Sequence, residues 1–385
     1  MNTYPITTVI IARNAASTIE RCIKSIRAAG EGWPILLVDD FSEDSTVDLA
    51  VSVAGKNISV VKPQDHIGTG NARQTGLEAV NTPYVVWLDA DDTMRQERLE
   101  QLRAAFIETE ADCIIHEVLL IDGVTESVIK SLDIPDFLFE PHGIAWQWER
   151  NWLPYLAPAV RVEVARRAGF NRTLTACEDY DHFLRLLKEG VRLLLIKEKL
   201  VDHYAYPQSL SRQLHHHKSQ LKKIYTQPQV PRIGALCEPA QHWIMASRAS
   251  YSENWEEVKD YVSNISPDEE EFAPPYGRSI GKLGMFLRGV VFLQEEAYSQ
   301  AENVYTSLVE KTMDQADCWL NLSFALAGQN RWDAAEAAVH KACTLFPSYA
   351  DAQKSLRGCA RKSLSDMVFT SHPLRTFETR SDYSP

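Results

Sequence analysis

The segment YVVWLDADDTM, Tyr84 to Met94, decides the reading of the chain. An apolar run with Trp87 at its centre leads directly into Asp89, Asp91 and Asp92. Short, β-branched and aromatic, the run has the pattern of a strand buried on both faces. Carboxylates this close repel one another, and each costs free energy to desolvate. Either the aspartates lie in a solvated turn or a positive charge sits on them.

Working outward, the same alternation repeats. ITTVIIA (Ile6 to Ala12), WPILLVDD (Trp33 to Asp40) and ISVVKP (from Ile58) read as strands. Between them, AASTIERCIKSIRAAG carries Ile19, Cys22, Ile23 and Ile26 at helical spacing, with Gly30 as a stop. SEDSTVDLAVSVAG opens on Ser42 in a capping-box-like setting, and GNARQTGLEAVNT is a further helix. Strands and helices joined by short links predict a mostly parallel α/β sheet. Such sheets bind ligands beyond the carboxyl ends of their strands. Arg13 and Asn14, Asp39 and Asp40, and Asp89 to Asp92 all fall at such ends. A D-x-D in that place, unlike one in an arbitrary loop, suits a hard divalent cation, Mn²⁺ or Mg²⁺. Such ions take carboxylate oxygens and leave positions for phosphate.

Composition narrows the alternatives. The 385 residues are 45% hydrophobic and 24% charged, ordinary globular values that suggest two domains or three. The net charge, 40 − 52 = −12, disfavours nucleic acid and anionic membrane surfaces as partners. Seven scattered cysteines without CxxC spacing read as reduced thiols rather than a disulfide framework or a zinc site. MNTYPITTVIIARN reads as a first strand rather than a signal peptide. There is no run of about 18 apolar residues to cross a membrane. A cytoplasmic location is the expectation.

Residues 1–230 are expected to form the α/β domain, 231–362 an all-α domain, and 363–385 an irregular tail. Within the first, GIAWQWERNWLPYLAP clusters Trp146, Trp148 and Trp152, and ACEDYDHFLRLLKEG is a helix with an acidic start. In the second, Ala316 to Ala352 fits a tetratricopeptide unit of about 34 residues. Trp319, Leu322, Ala335, Ala342 and Pro347 take its marked positions, and Gly289, Ala301 and Tyr305 take equivalent ones a repeat earlier.

TVIIARNAASTIERCIKSI, ILLVDDFSEDST, NARQTGLEAVNTPYVVWLDADD and GFNRTLTACEDYDHFLRLLKEG occur in the order and spacing of family-2 glycosyltransferases of the GT-A fold. The resemblance covers roughly residues 6 to 212. It implies a nucleotide-sugar donor, by family default a UDP-sugar. It places Ala12, Arg13 and Asn14 at the nucleobase, with the Arg13 guanidinium able to stack on a pyrimidine. It makes Asp40 the acceptor of the base N–H, with Asp39 beside it, and Arg73 a cation near the nucleotide or the aspartates. It implies Asp91 as metal ligand and Asp89 as the ribose or water-mediated contact, both in the metal-binding pair, with Asp92 either behind the metal ligands or a turn residue. Asp179 is implied as catalytic base and Glu178 as its neighbour facing donor or acceptor. At least one of the three tryptophans is expected to face the acceptor.

Residue by residue, plainer roles remain open at this stage. Arg13 and Arg73 can be solvated arginines, and Asp40, Glu178 and Asp179 can be helix-start charges that favour the dipole. One departure stands out: HYAYPQSLSR puts Tyr206, not His, before Pro207, leaving His203 as a substitute for the family's metal-proximal His. The His215–His217 run reads as either a metal tract or solvated histidines. The Gln-x-x-Arg-Trp signature of processive synthases is absent, which favours single-sugar addition. The helical repeats suit a peptide or protein acceptor, or a homodimer contact. A glycan or lipid-linked acceptor is the alternative, and an inactive catalytic domain in a binding scaffold is another. A nucleotidyltransferase would want a Gly-rich first loop, which IARNAAST lacks.

Overall fold

The computed structural model describes residues 4–153, 157–206, 214–227, 233–311 and 315–375, without the side chains of 214–216. The chain divides into two compact units, Met1–Arg232 and Ile233–Pro385.

In the first unit, β1 (Ile6–Ala12), β2 (Ile35–Asp39), β3 (Ile58–Val61) and β4 (Tyr84–Asp89) are parallel neighbours in the order β3-β2-β1-β4. The helices α1 (Ile19–Ala28), α2 (Thr46–Ala54) and α3 (Thr69–Ala79) connect them. Six of the seven β1 residues and all five of β2 are buried, as their largely apolar and β-branched sequences favour. The Cα pairs Ala12↔Asp39 and Ile11↔Asp89 bring the carboxyl ends of β1, β2 and β4 level on one sheet edge. That register turns residues distant in sequence into neighbours.

The chain continues through β5 (Thr93–Met94), α4 (Arg98–Thr109), β6 (Cys113–Asp122), β7 (Val128–Leu132), β8 (Ala159–Arg161), α5 (Val162–Ala168), α6 (Glu178–Glu189), β9 (Leu193–Ala205) and α7 (Leu214–Tyr225). β8 is antiparallel to both β4 and β6, and β9 runs parallel to β6 before pairing antiparallel with β5. The result is the mixed, mostly parallel α/β sheet of the GT-A class.

Two glycines set helix α3 on this sheet. A Cβ at Gly76 would meet Val9 Cγ1 at 2.8 Å and Val38 Cγ2 at 2.9 Å, so only glycine lets the helix lie this near β1 and β2. Gly70 donates its N–H to Leu174 O at 3.0 Å, and a Cβ there would strike Asn171 O and Leu174 O. The start of α3 and the loop leading to α6 are thereby locked together.

Two expectations are corrected. α2 starts at Thr46, and Ser42, read as the head of that helix, instead accepts the Asn14 N–H at 3.0 Å. The hydroxyl serves the loop after β1 because Asn14, at φ 51°, turns its amide toward β2. Trp146, Trp148 and Trp152 are 4%, 1% and 4% exposed, so none presents a face to an acceptor. Their indoles fill the core around two short 3-10 turns, with Phe137 edge-on to Trp152.

The second unit comprises α8 (Glu238–Tyr251), α9 (Trp255–Ser263), a two-stranded ribbon of β10 (Phe272–Ala273) and β11 (Arg278–Ser279), then α10 (Ile280–Gln294), α11 (Tyr298–Lys311), α12 (Ala316–Gly328), α13 (Trp332–Leu345) and α14 (Ala350–Arg361). From α10 onward each helix packs on the next. Ala301, Tyr305, Ala335 and Ala342 are fully buried, and a Cβ at Gly289 would lie 2.5 Å from the Tyr305 ring. Small residues on one helix and a ring on its neighbour thus set the spacing of α10 and α11. Residues beyond α14 dock on this unit: Thr370 N–H bonds Asn321 Oδ1 at 2.8 Å and Leu374 N–H bonds Asp317 Oδ2 at 2.7 Å. The same Asp317 carboxylate, fully buried, holds Arg278 at 2.7 Å. Among the described residues no helix is long and apolar enough to cross a membrane.

Removing one partner of that buried pair leaves the other charge uncompensated. Asp317→Ala is expected to destabilise the helical unit by about 3–5 kcal/mol. Urea denaturation followed by far-UV circular dichroism measures it, and a loss no larger than that of a surface Asp→Ala would contradict the assignment.

Candidate active site

The aligned strand ends carry two clusters. The first lies where β1 and β2 end. Ala12 O accepts the Asp40 N–H at 2.8 Å, fixing the two strand ends side by side. Asp39, 7% exposed, accepts the Ser42 N–H at 3.0 Å and has Lys62 Nζ at 3.7 Å. Asn14 Oδ1 accepts the Glu43 N–H at 2.8 Å. Arg13, exposed, donates through Nη1 to His66 Nε2 at 2.6 Å, and His66 Nδ1 lies 2.9 Å from Asp40 Oδ2. Phe41, at φ 64°, has Lys62 Nζ 4.3 Å above its ring centre and the His66 ring 6.1 Å away.

The second cluster surrounds the D-A-D-D turn. Arg73, 9% exposed on α3, donates through Nη2 to Asp89 Oδ1 at 3.0 Å and through Nε to Glu178 Oε1 at 2.8 Å. Burial works against its charge, but Asp89, Glu178 and Asp179 outweigh it and raise the guanidinium pKa. Glu178 and Asp179 open α6, preceded by Cys177 at φ 59°, where the helix dipole also favours their negative charge. Asp179 is half-buried and accepts the Tyr180 N–H at 2.7 Å. Burial first, then Glu178, push its carboxyl well above the usual aspartate range, while Arg73 pulls the other way.

Among the described residues the Asp91 carboxylate has no ion-pair partner. Burial, then Asp92 and Asp89, push its pKa up to about 7. Asp92 is fully buried and accepts His203 Nδ1–H at 3.0 Å and the Tyr204 N–H at 2.9 Å. Burial lowers the His203 pKa, but Asp92 overcomes it and lifts the ring to about 9. Arg21 braces the turn from α1: its Nη2 donates to Asp91 O at 2.8 Å and to the Tyr206 hydroxyl at 3.0 Å, and its guanidinium lies 3.6 Å from the Tyr204 ring centre. His203 therefore reaches the aspartates, though through Asp92, and Tyr206 reaches them through Arg21. Pro207 to Arg212 lie outside the described residues, as do the side chains of His215 and His216. His217 Nδ1 lies 3.8 Å from Cys177 Sγ.

A divalent ion fits this donor set. Asp91 offers a carboxylate that two neighbouring carboxylates make costly to ionise alone, and Asp89 has one oxygen not held by Arg73. Among the described residues no three His, Cys, Asp or Glu side chains form a complete cage. Hard cations that keep positions for phosphate oxygens need only one or two protein carboxylates.

Ala12, Arg13, Asn14, Asp39, Asp40, Arg73, Asp89, Asp91, Glu178 and Asp179, the site residues implied by the resemblance, lie in or beside these two clusters. His66, Phe41, Lys62 and Arg21 were missed. His66 and Lys62 carried a usable signal, since both follow β3 and so belong to the same sheet edge. Arg21 is read only from packing, because a helix arginine looks like any solvated one.

A mostly parallel sheet with acidic residues gathered at its carboxyl edge puts the candidate ligand site at that edge. Residues 7–173 match the family model Glycosyl transferase family 2. Succinoglycan biosynthesis protein ExoU of Rhizobium meliloti (strain 1021) is 27% identical over 203 residues, 49% of this chain and 58% of that protein. Pre-mycofactocin glycosyltransferase of Mycobacterium tuberculosis (strain CDC 1551 / Oshkosh) is 30% identical over 207 residues, 51% of this chain and 42% of that protein. The chain thus spans about half the length of the curated relatives it matches. Among solved structures, S. aureus TarS 1–349 is 15% identical with a TM-score of 0.48, covering 94% of this chain and 88% of that one.

Arg73 lowers the Asp179 pKa, so deleting it raises that pKa further. A carboxyl whose folded pKa exceeds its unfolded value destabilises the fold above the unfolded pKa, and the penalty fades as pH falls and the group protonates. Arg73→Ala is expected to cost about 3–5 kcal/mol near pH 7 and distinctly less near pH 5. Urea midpoints of both proteins at the two pH values give this difference, and a pH-independent loss would contradict the coupling.

Proposed function

We propose that this chain is a metal-dependent, inverting, non-processive glycosyltransferase that moves one sugar from a nucleoside-diphosphate sugar to an acceptor hydroxyl. The observation that carries the reading is the Arg73 fork. It joins Asp89, in the donor-side turn, to Glu178, beside Asp179, at 3.0 and 2.8 Å. A donor site and a base are thereby held at one place by one buried side chain.

In this reading Asp39, Asp40, Ala12, Arg13 and Asn14 line the nucleoside end. Asp91, with Asp89, would hold Mn²⁺ or Mg²⁺, which offsets charge on a departing diphosphate. Asp179 takes the proton of the acceptor hydroxyl as its oxygen bonds to the anomeric carbon and the carbon–oxygen bond to the diphosphate breaks. Burial and Glu178 make Asp179 more basic than an ordinary aspartate, as that task requires. Arg73, already committed to two carboxylates, keeps Glu178 paired and orients the start of α6.

A glycan acceptor is supported by relatives, among them succinoglycan biosynthesis proteins ExoU and ExoO. The helical unit, read as tetratricopeptide-like, supports a second reading with a peptide or protein acceptor or a second copy of the chain. Its spacing rests on Gly289 against Tyr305 and on buried Ala335 and Ala342.

A thermal-shift panel of sugar nucleotides with and without Mn²⁺ tests the donor site. A ligand at 100 times its Kd stabilises by about 2.7 kcal/mol, so one donor should give a metal-dependent shift that Asp91→Ala abolishes. No shift with any donor would turn the reading toward a binding scaffold. Asp179→Asn is expected to lower kcat by about 10²–10⁴ while leaving that shift in place. In the wild type, kcat/KM should rise with pH along a limb above the ordinary carboxylate range, because the base works only when ionised. An acid limb at or below pH ~4 would contradict the role of Asp179.

A further inference from the structure

In the helical unit, α8, α10, α12 and α14 pack side by side as one layer. After the 3-10 turn Leu364–Asp366 the chain crosses this layer, over α14, then α12, then β11 and α8, and its main chain is read by their side chains. Ser355 Oγ accepts the Val368 N–H and donates to Val368 O, both at 2.9 Å. Asn321 does the same for Thr370, accepting its N–H at 2.8 Å and donating to its O at 2.9 Å. Val368 and Thr370, two residues apart, turn their main-chain groups to one side, as an extended chain does. Further along, Asp317 Oδ2 accepts the Leu374 N–H at 2.7 Å, Arg278 Nη2 donates to Leu374 O at 3.5 Å, and Ser250 donates to Ser371 O at 3.4 Å. Ser355, Asn321 and Asp317 are fully buried. The floor is cut to fit as well: a Cβ at Gly358 would lie 2.5 Å from Met367 Cγ and 3.0 Å from Met367 N.

We infer that this face is a peptide-binding surface masked by Met367–Leu374 of its own chain, and that an extended segment of another polypeptide replaces that occupant. The inference does not depend on the donor-site reading. Main-chain groups are the same in every peptide, so contacts to them give affinity without fixing the sequence. Buried Ser355, Asn321 and Asp317 need an occupant, because each would otherwise lose hydrogen bonds it makes to the segment. Side chains then set the preference. Met367 is buried, with Cys359 Sγ 3.8 Å from its sulfur, and the Phe369 ring stands edge-on to Phe324 at 4.9 Å. His372 stacks on Tyr251 at 3.8 Å, and Pro373 is buried. The partner is thus a peptide with an N–H at the positions of Val368, Thr370 and Leu374 and an aromatic ring at that of Phe369. Proline is accepted at the position of Pro373 but not at those three.

Fluorescence anisotropy with a labelled synthetic peptide, DMVFTSHPLR, the sequence of residues 366–375, tests this on the full chain. Thr370→Pro removes the N–H that Asn321 accepts and should release the resident segment. That variant should bind the peptide at least about tenfold more tightly than wild type, whose own segment competes at high effective concentration. The peptide carrying the same Thr→Pro change should bind it at least about tenfold more weakly, and so should the unchanged peptide once Asn321→Ala is added to the variant. No binding to a folded Thr370→Pro chain would overturn the inference, as would equal binding of the two peptides. A wild-type dimer in light scattering that Thr370→Pro dissociates would also overturn it, in favour of exchange between two copies. If Thr370→Pro does not fold, hydrogen exchange on wild type decides. The amides of residues 368–374 should exchange faster than those of α12 and α14, and excess peptide should speed them further. Exchange in step with α12, unmoved by peptide, would mean a fixed strap and overturn the inference.

Discussion

Everything at the carboxyl edge of the first unit follows from crowding of like charge. Asp89, Asp91 and Asp92 sit within one turn, and Glu178 and Asp179 face them from the start of α6. Each acid has a different remedy. Arg73 spans Asp89 and Glu178, His203 answers Asp92, and Asp91 and Asp179 are left with raised pKa values. In the function proposed above, the two left under-compensated are the acids that would meet a cation and a proton.

The scaffold explains how one arginine spans both sides. Its helix rides on the sheet where Gly76 removes any side chain between α3 and the valines of β1 and β2. Its first turn is tied by Gly70 to the loop that delivers α6. A strand edge and a helix start, more than eighty residues apart from Asp89 to Glu178, are thus kept in register by backbone contact before any side chain is counted.

The sequence was most legible where local pattern and sheet topology coincide. The runs ITTVIIA, ILLVD and YVVWLD are nearly all apolar up to their carboxyl ends, so both the strands and their polar ends could be read. The second half of the sheet was not legible in the same way. β9 mixes Lys197, Glu198 and Lys199 into its middle, where β6 and β9 lose register, so no clean period marks it. His66 and Arg21 were hidden for a different reason: their roles depend on partners 26 to 185 positions away. The tryptophans misled because an aromatic cluster looks the same in sequence whether it faces a ligand or a core. Only burial separates the two.

The pairing of Asp92 with His203 joins positions 111 residues apart, and the strand that delivers the histidine is the last of the sheet. A ribosome makes the chain from the other end. The parallel strands β1 to β4 are therefore complete long before His203 can pair with the buried Asp92, and closing so distant a contact is slow. Until β9 arrives, the aspartate turn cannot settle as a buried element. The edge that reads as the donor site is thus the last part of the sheet to become itself, and a nascent chain halted before residue 203 would carry the strands of the fold without a finished site.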